Sequence, residues 1–221
     1  MKTLLGNLGI ALLALAGITV APTAMAIPSI CDATAGNIVL NCGFEDGVHT
    51  SGANLLVPND WTSNAAFDAI PNFNQVQGFF VNSGSDALQI GNLDSQPPPV
   101  LTQSLTDVLG GVYSGSIFVQ YGGHANNDPL AFFDVTINGV PRLSLDFNAP
   151  NAFTQYNFSF VGTGSDVLGL TANTNPSFWY ADDVVVTLAG PGPGPAPEPA
   201  TLALLGLGLA SLGFSRRRKL S

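Results

Sequence analysis

The stretch FDVTINGVPRLSLDF, residues 133–147, decides how this chain folds. Phe133, Val135 and Ile137 alternate with Asp134, Thr136 and Asn138, which is the period of a strand with one face in a core and one in water. Asn138-Gly139 follows at once, and both residues accept the positive φ that a two-residue type I′ hairpin demands, so a second strand is predicted over Leu143–Phe147.

The same period runs outward from this hairpin. Tyr156, Phe158 and Phe160 alternate with Gln155, Asn157 and Ser159. Further strands are predicted over Asn37–Phe44, Val76–Val81, Ala87–Ile90, Val100–Leu105, Val112–Tyr121, Val167–Thr171 and Phe178–Leu188. No stretch of the middle carries a helical stripe over ten residues. Nine or ten short strands separated by turn residues indicate an all-β, antiparallel two-sheet sandwich. Glu45–Pro58 and Asn64–Asn74, rich in Gly, Asn, Asp and Pro, read as loops, and Pro97-Pro98-Pro99 as a stiff lead-in to the Val100 strand.

The two ends are of another kind. Lys2, the apolar run Leu4–Val20 and Ala24-Met25-Ala26 form the charged, greasy and small-residue parts of a signal peptide, so residues 1–26 are expected to be removed and the exported chain to begin at Ile27. At the far end a Pro/Gly spacer, 191–196, leads to the apolar run Thr201–Phe214 and then to Arg216, Arg217, Arg218 and Lys219. Fourteen apolar residues rise about 21 Å as a helix, a short transmembrane helix against a hydrocarbon core of about 30 Å. The basic cluster would hold that end in the cytoplasm and leave the rest outside.

Between the ends, residues 27–190 hold fourteen acids and one base, Arg142, a net charge of −13. Such a domain repels nucleic acid and anionic membranes, and it leaves neutral glycans, cations and basic partners open. Cys31 and Cys42 are the only cysteines. In an oxidising compartment they are expected to form a disulfide; a metal pair or a catalytic thiol is the alternative.

Pro197-Glu198-Pro199, the apolar run and Arg216–Lys219 together resemble the PEP-CTERM sorting domain of Gram-negative bacteria that make exopolysaccharide. The resemblance implies an exosortase and the export machinery as partners. It also implies an inner-membrane-anchored intermediate over 197–221, then delivery to the cell surface or biofilm matrix.

The segment NIVLNCGFED, residues 37–46, followed by Trp61, resembles the opening of carbohydrate-binding modules of the CBM4/9/22 type, and Tyr180-Ala-Asp-Asp-Val184 resembles their last strand. This resemblance implies a galactose-binding-like jelly roll and extracellular polysaccharide as ligand. Cys42 departs from the pattern, which commonly has a small residue there. In such modules a Glu after the first strand and an Asp in the last help hold a structural Ca²⁺; carried over, these are Glu45 and Asp182, with Asp183 as alternative. Two carboxylates and backbone carbonyls can begin such a shell. Sugar binding needs exposed aromatic faces, for which Trp179, Tyr121, Phe73 and Phe67 are the candidates, with Asn126, Asn127 and Gln120 nearby; Trp61, Tyr156, Phe158 and Phe160 read as core.

No catalytic signature accompanies them. His49 and His124, the only histidines, lie outside any metal or base spacing, there is no G-x-S-x-G, and no feature selects a pair among the acids. The expectation is an exported, non-catalytic, glycan-binding surface protein. A structural or adhesive matrix protein is the alternative, ahead of a glycoside hydrolase or lyase.

Overall fold

A computed structural model describes residues 28–69, 73–92, 97–123, 128–174 and 177–191. The expected signal peptide and the sorting residues Pro197, Glu198, Pro199, Arg216, Arg217 and Arg218 lie outside them, as do His124, Asn126 and Asn127.

Every regular element among the described residues is a strand. In chain order these are β1 (Val48–Ser51), β2 (Asn54–Pro58), β3 (Thr62–Ser63), β4 (Gln75–Gln77), β5 (Ala87–Ile90) and β6 (Val100–Ser104). There follow β7 (Gly111–Tyr121), β8 (Phe132–Ile137), β9 (Val140–Asp146), β10 (Thr154–Val161), β11 (Val167–Asn173) and β12 (Trp179–Pro191). Two five-stranded antiparallel sheets, β10-β7-β12-β5-β4 and β3-β6-β11-β8-β9, face each other as a jelly-roll sandwich, with the β1–β2 hairpin beside them. Phe44, Leu88, Ile117, Phe133, Leu168, Leu170 and Trp179 are fully buried in the shared core.

The deciding stretch forms the β8–β9 hairpin, with Asn138 at φ 52° and Gly139 at φ 74°. Its second strand starts earlier than predicted, at Val140, because Ile137 pairs directly with Val140 across the two-residue turn.

Three readings are corrected. The predicted strand Val76–Val81 ends at Gln77, whose side chain bonds the backbone of Phe79 and Phe80 and turns the chain out of the sheet. Asn37–Phe44 is not a strand but a run of turns in which Asn41 and Phe44 take positive φ. Asn37 lends its side chain to β12 instead: Oδ1 accepts from Val186 N at 2.9 Å, and Nδ2 donates to Val184 O at 3.3 Å. A side chain that bonds the neighbouring backbone removes the need for a strand there. Conversely, the predicted loop Glu45–Pro58 contains the β1–β2 hairpin, whose polar, exposed β1 gave no hydrophobic alternation to read.

Cys31 and Cys42 are joined by a disulfide, which closes the turn-rich segment against the end of the sandwich core.

Candidate functional site

The residues with most to offer a ligand stand on the outer face of the sheet β10-β7-β12-β5-β4. Along β7 the odd residues Tyr113, Ile117, Val119 and Tyr121 are buried in the core, so the even ones face out. Pairing then sets one row: Gln75 opposite Gln89, Gln89 opposite Tyr180, and Tyr180 opposite Gln120. Four strands at about 4.8 Å spacing give this row of three amides and a phenol a span of about 14 Å. One step along, Phe118 stands opposite Asp182 on one side and Gln155 on the other, and beyond it come Ser116 with Asn157 and Ser114 with Ser159. Amides and hydroxyls flanking aromatic rings can donate and accept hydrogen bonds while an apolar ring face is covered.

A loop over residues 78–86 adds the rest of the aromatic surface. Phe80 lies against Tyr180 with ring centroids 4.6 Å apart, and Phe79 is 90% exposed. The loop is pinned from within. Gln77 Oε1 accepts from Phe79 N at 2.5 Å and from Phe80 N at 3.0 Å, while its Nε2 donates to Phe80 O at 2.7 Å. Glu45 Oε1 accepts from Ser85 N at 2.6 Å and Asp86 N at 2.9 Å.

Asp182 and Asp183 hold the same loop from β12. Consecutive residues of a regular strand point to opposite faces, but β12 shifts register between Asp182 and Val185, and Asp183 takes φ 51°. Both buried carboxylates thereby reach residues 82 and 83. Asp182 Oδ2 accepts from Asn82 N at 2.8 Å and Ser83 N at 3.2 Å, and its Oδ1 from Asp183 N at 2.8 Å. Asp183 accepts from Ser83 Oγ, Asn82 Nδ2 and Ser29 Oγ, each at 2.8 Å, and from Cys31 N at 3.3 Å. Burial, followed by the charge of Asp183, raises the Asp182 carboxyl to about 7, against the pull of those backbone amides.

These bonds test the calcium expectation. A cation shell presents oxygen lone pairs to one point. Here N–H and O–H donors meet both carboxylates of the pair and Oε1 of Glu45. The cluster that converges among the described residues, Cys31, Asp32 and Cys42, has both sulfurs in the disulfide. As they stand, Glu45, Asp182 and Asp183 form a hydrogen-bonded loop clamp.

Three expected sugar platforms are corrected as well. Trp179 and Tyr121 are fully buried, directly opposite each other, with ring centroids 4.5 Å apart on the core side. Trp179 Nε1 donates to Asn173 O at 3.2 Å. Phe67 is buried too. Phe73 is half-buried with its ring on Phe178, 4.7 Å away, and its carbonyl accepts from Gln89 Nε2 at 2.9 Å, so it borders the row at Gln89. Of the expected polar company, Gln120 is in the row. Tyr180, Phe80 and Phe118 were not singled out by sequence, although Tyr180 belongs to the quoted last-strand motif and its one-residue offset from Trp179 is the signal that separates them.

Residues 195–219 match the family described as the PEP-CTERM protein-sorting motif, PEP_exosort_dom. No curated protein matches the chain. Among solved structures, TmCBM61 in complex with β-1,4-galactotriose is 15% identical, with a TM-score of 0.48 over 69% of this chain and 98% of that one. The CBM22-1 xylan-binding domain of Paenibacillus barcinonensis Xyn10C is 20% identical, with a TM-score of 0.42 over 70% and 97%. The C-terminal family 22 module of Clostridium thermocellum Xyn10B is 15% identical, with a TM-score of 0.46 over 72% and 97%.

Proposed function

We propose that this chain is an exported, non-catalytic surface protein that holds neutral polysaccharide on the outer face of the β10-β7-β12-β5-β4 sheet. The observation that carries the reading is the in-register row Gln75, Gln89, Tyr180 and Gln120, with the exposed Phe80 ring packed at a tilt over the buried Tyr180 and Phe118 one step away. A flat array of rings and amides suits a chain of pyranose rings, which present alternating apolar faces and hydroxyls. The net charge of −13 favours a neutral glycan over an acidic one. Asp182, the acid of this face, is wholly buried beneath the loop, which speaks against an open carboxylate pair for hydrolysis.

In the same reading the sorting segment brings the chain to an exosortase. The apolar run 201–214 and Arg216–Lys219 hold the precursor in the inner membrane until it is processed near Pro197-Glu198-Pro199, and the exported sandwich then takes its place in the exopolysaccharide or biofilm matrix.

Affinity electrophoresis of the exported protein through gels containing neutral galactans, xylans or the producing cell's own polysaccharide tests the binding. Retardation that Tyr180→Ala and Phe80→Ala each weaken about five- to tenfold supports it. Unretarded migration in every gel rejects it in favour of a structural or adhesive matrix role.

A further inference from the structure

We infer that the end of the sandwich from which the sorting tail emerges is a lipid-docking surface, which seats the precursor on the bilayer. The inference rests on the tail reading above, and its evidence is the distribution of side chains at that end.

Three turns and the chain exit meet there. The β6–β7 turn joins the β10–β11 turn through Gly110 N to Gly162 O at 2.8 Å and Gly162 N to Gly111 O at 2.7 Å. The β8–β9 hairpin joins them through Asn138 N to Val167 O at 2.8 Å. Pro191, the last described residue of β12, pairs with Gly111 at the start of β7. Around this junction five large apolar side chains face solvent: Val108 (61% exposed), Leu109 (77%), Val140 (53%), Val161 (56%) and Leu188 (54%). The two carboxylates of these turns point inward. Asp107 is buried and accepts from Gly164 N at 2.7 Å and Asp166 N at 2.8 Å. Asp166 is buried and accepts from Thr163 Oγ1 at 2.6 Å and Asn138 Nδ2 at 2.5 Å.

A domain of net −13 thus folds the acids of these turns away and turns apolar groups out. Arg142, the only base between residues 27 and 190, is exposed on β9, two residues from Val140. Exposed apolar side chains with one guanidinium beside them match an interfacial lipid layer, where alkyl groups enter the headgroup boundary and the cation meets phosphate.

The chain leaves the sandwich at this apolar end, where Pro191 pairs with Gly111. Nine residues separate Pro191 from Thr201, the first residue of the apolar run, so their greatest reach is about 30 Å. The opposite end, marked by Leu130 beside Asn173, lies a further strand away, about 20 Å along β11, and serves as the distant reference point.

The test uses the full chain reconstituted in phosphatidylcholine vesicles whose acyl chains are brominated. Both native cysteines are paired, so Leu109→Cys and, at the far end, Leu130→Cys each accept one fluorescent probe. Flotation with the vesicles reports the tail, and quenching of the probe reports the docking. Strong quenching at position 109 and little at 130, weakened about twofold or more when phosphatidylglycerol replaces half the lipid, supports the inference. Flotation with equal quenching at both positions, or with none, overturns it while leaving the tail reading intact; failure to float overturns both. Val108→Asp in the Leu109→Cys chain should keep the melting temperature and lose the quenching. An emission shift at position 109 without bromolipid quenching would assign the surface to the chain's own tail and overturn lipid docking.

Discussion

Trp179 and Tyr180 stand back to back on β12: the indole is fully buried against Tyr121, while the phenol faces outward beneath Phe80. Because their side chains leave the strand on opposite faces, substitutions at the two sites should separate stability from binding. Trp179→Ala opens the core and is expected to cost about 3–5 kcal/mol, visible as a large fall in melting temperature. Phe80→Ala removes an exposed ring and Tyr180→Ala the ring that supports it, so each should weaken glycan retention about five- to tenfold with a smaller change in melting temperature. Equal losses of binding and stability at Trp179 and Tyr180 would contradict the assignment of faces.

Asp182 makes stability depend on pH. Its carboxyl is raised to about 7 by burial and by the charge of Asp183, whereas the unfolded chain titrates near 3.8. Between those values the folded protein keeps a proton that the unfolded chain has lost, so unfolding becomes easier as pH rises through this window and levels off above it. Asp32 shifts in the same direction, through burial and then the charges of Asp46 and Asp183. Melting temperature should therefore be higher at pH 5 than at pH 8. Mutual repulsion among fourteen acids gives the same trend, so Asp182→Asn is the control: it should flatten the difference, and an unchanged slope would remove Asp182 as its source.

How far the sequence reveals this architecture depends on whether the deciding contact is local. Asn138-Gly139 announces its hairpin because a type I′ turn is a property of two adjacent residues, and both take the required φ. NIVLNCGF looks like a strand by composition, yet the Asn37 side chain bridges Val184 and Val186, a contact 147 and 149 residues away that no local pattern encodes. The binding face is harder still. Ile117, Phe118 and Val119 are all apolar, so β7 does not declare which parity faces inward. That is settled by Gly115 opposite Phe158 and Tyr121 opposite Trp179, pairings made across the sheet.

The clamp on residues 78–86 should answer to thiol reagents and not to calcium. Asp183 accepts from Cys31 N, and Cys31 is fixed by its disulfide to Cys42, so the covalent link and the carboxylate hold one loop together. Closing a loop over a sequence separation of 11 residues stabilises by about 3 kcal/mol. Reduction under native conditions should lower the melting temperature by several degrees, while millimolar Ca²⁺ or chelator leaves it unchanged. A rise of several degrees with Ca²⁺ would show that the donors around Asp182 and Asp183 rearrange to admit a cation.

Gly115 tests the packing of the β7–β10 pair, on which the outer face depends. It pairs with Phe158, and the place a Cβ would take at Gly115 is already filled by the Phe158 ring. The constraint is steric and not conformational, since Gly115 does not have positive φ. Gly115→Ala must push the ring out of its slot, at a cost of about 1–3 kcal/mol for an overpacked core. Phe158→Leu alone loses buried surface, but combined with Gly115→Ala the smaller side chain makes room for the methyl group. The double variant should therefore be more stable than the sum of the single effects by about 1 kcal/mol, measured by chemical denaturation as a coupling energy. Strict additivity would mean that the ring yields freely and that Gly115 is not what seats it.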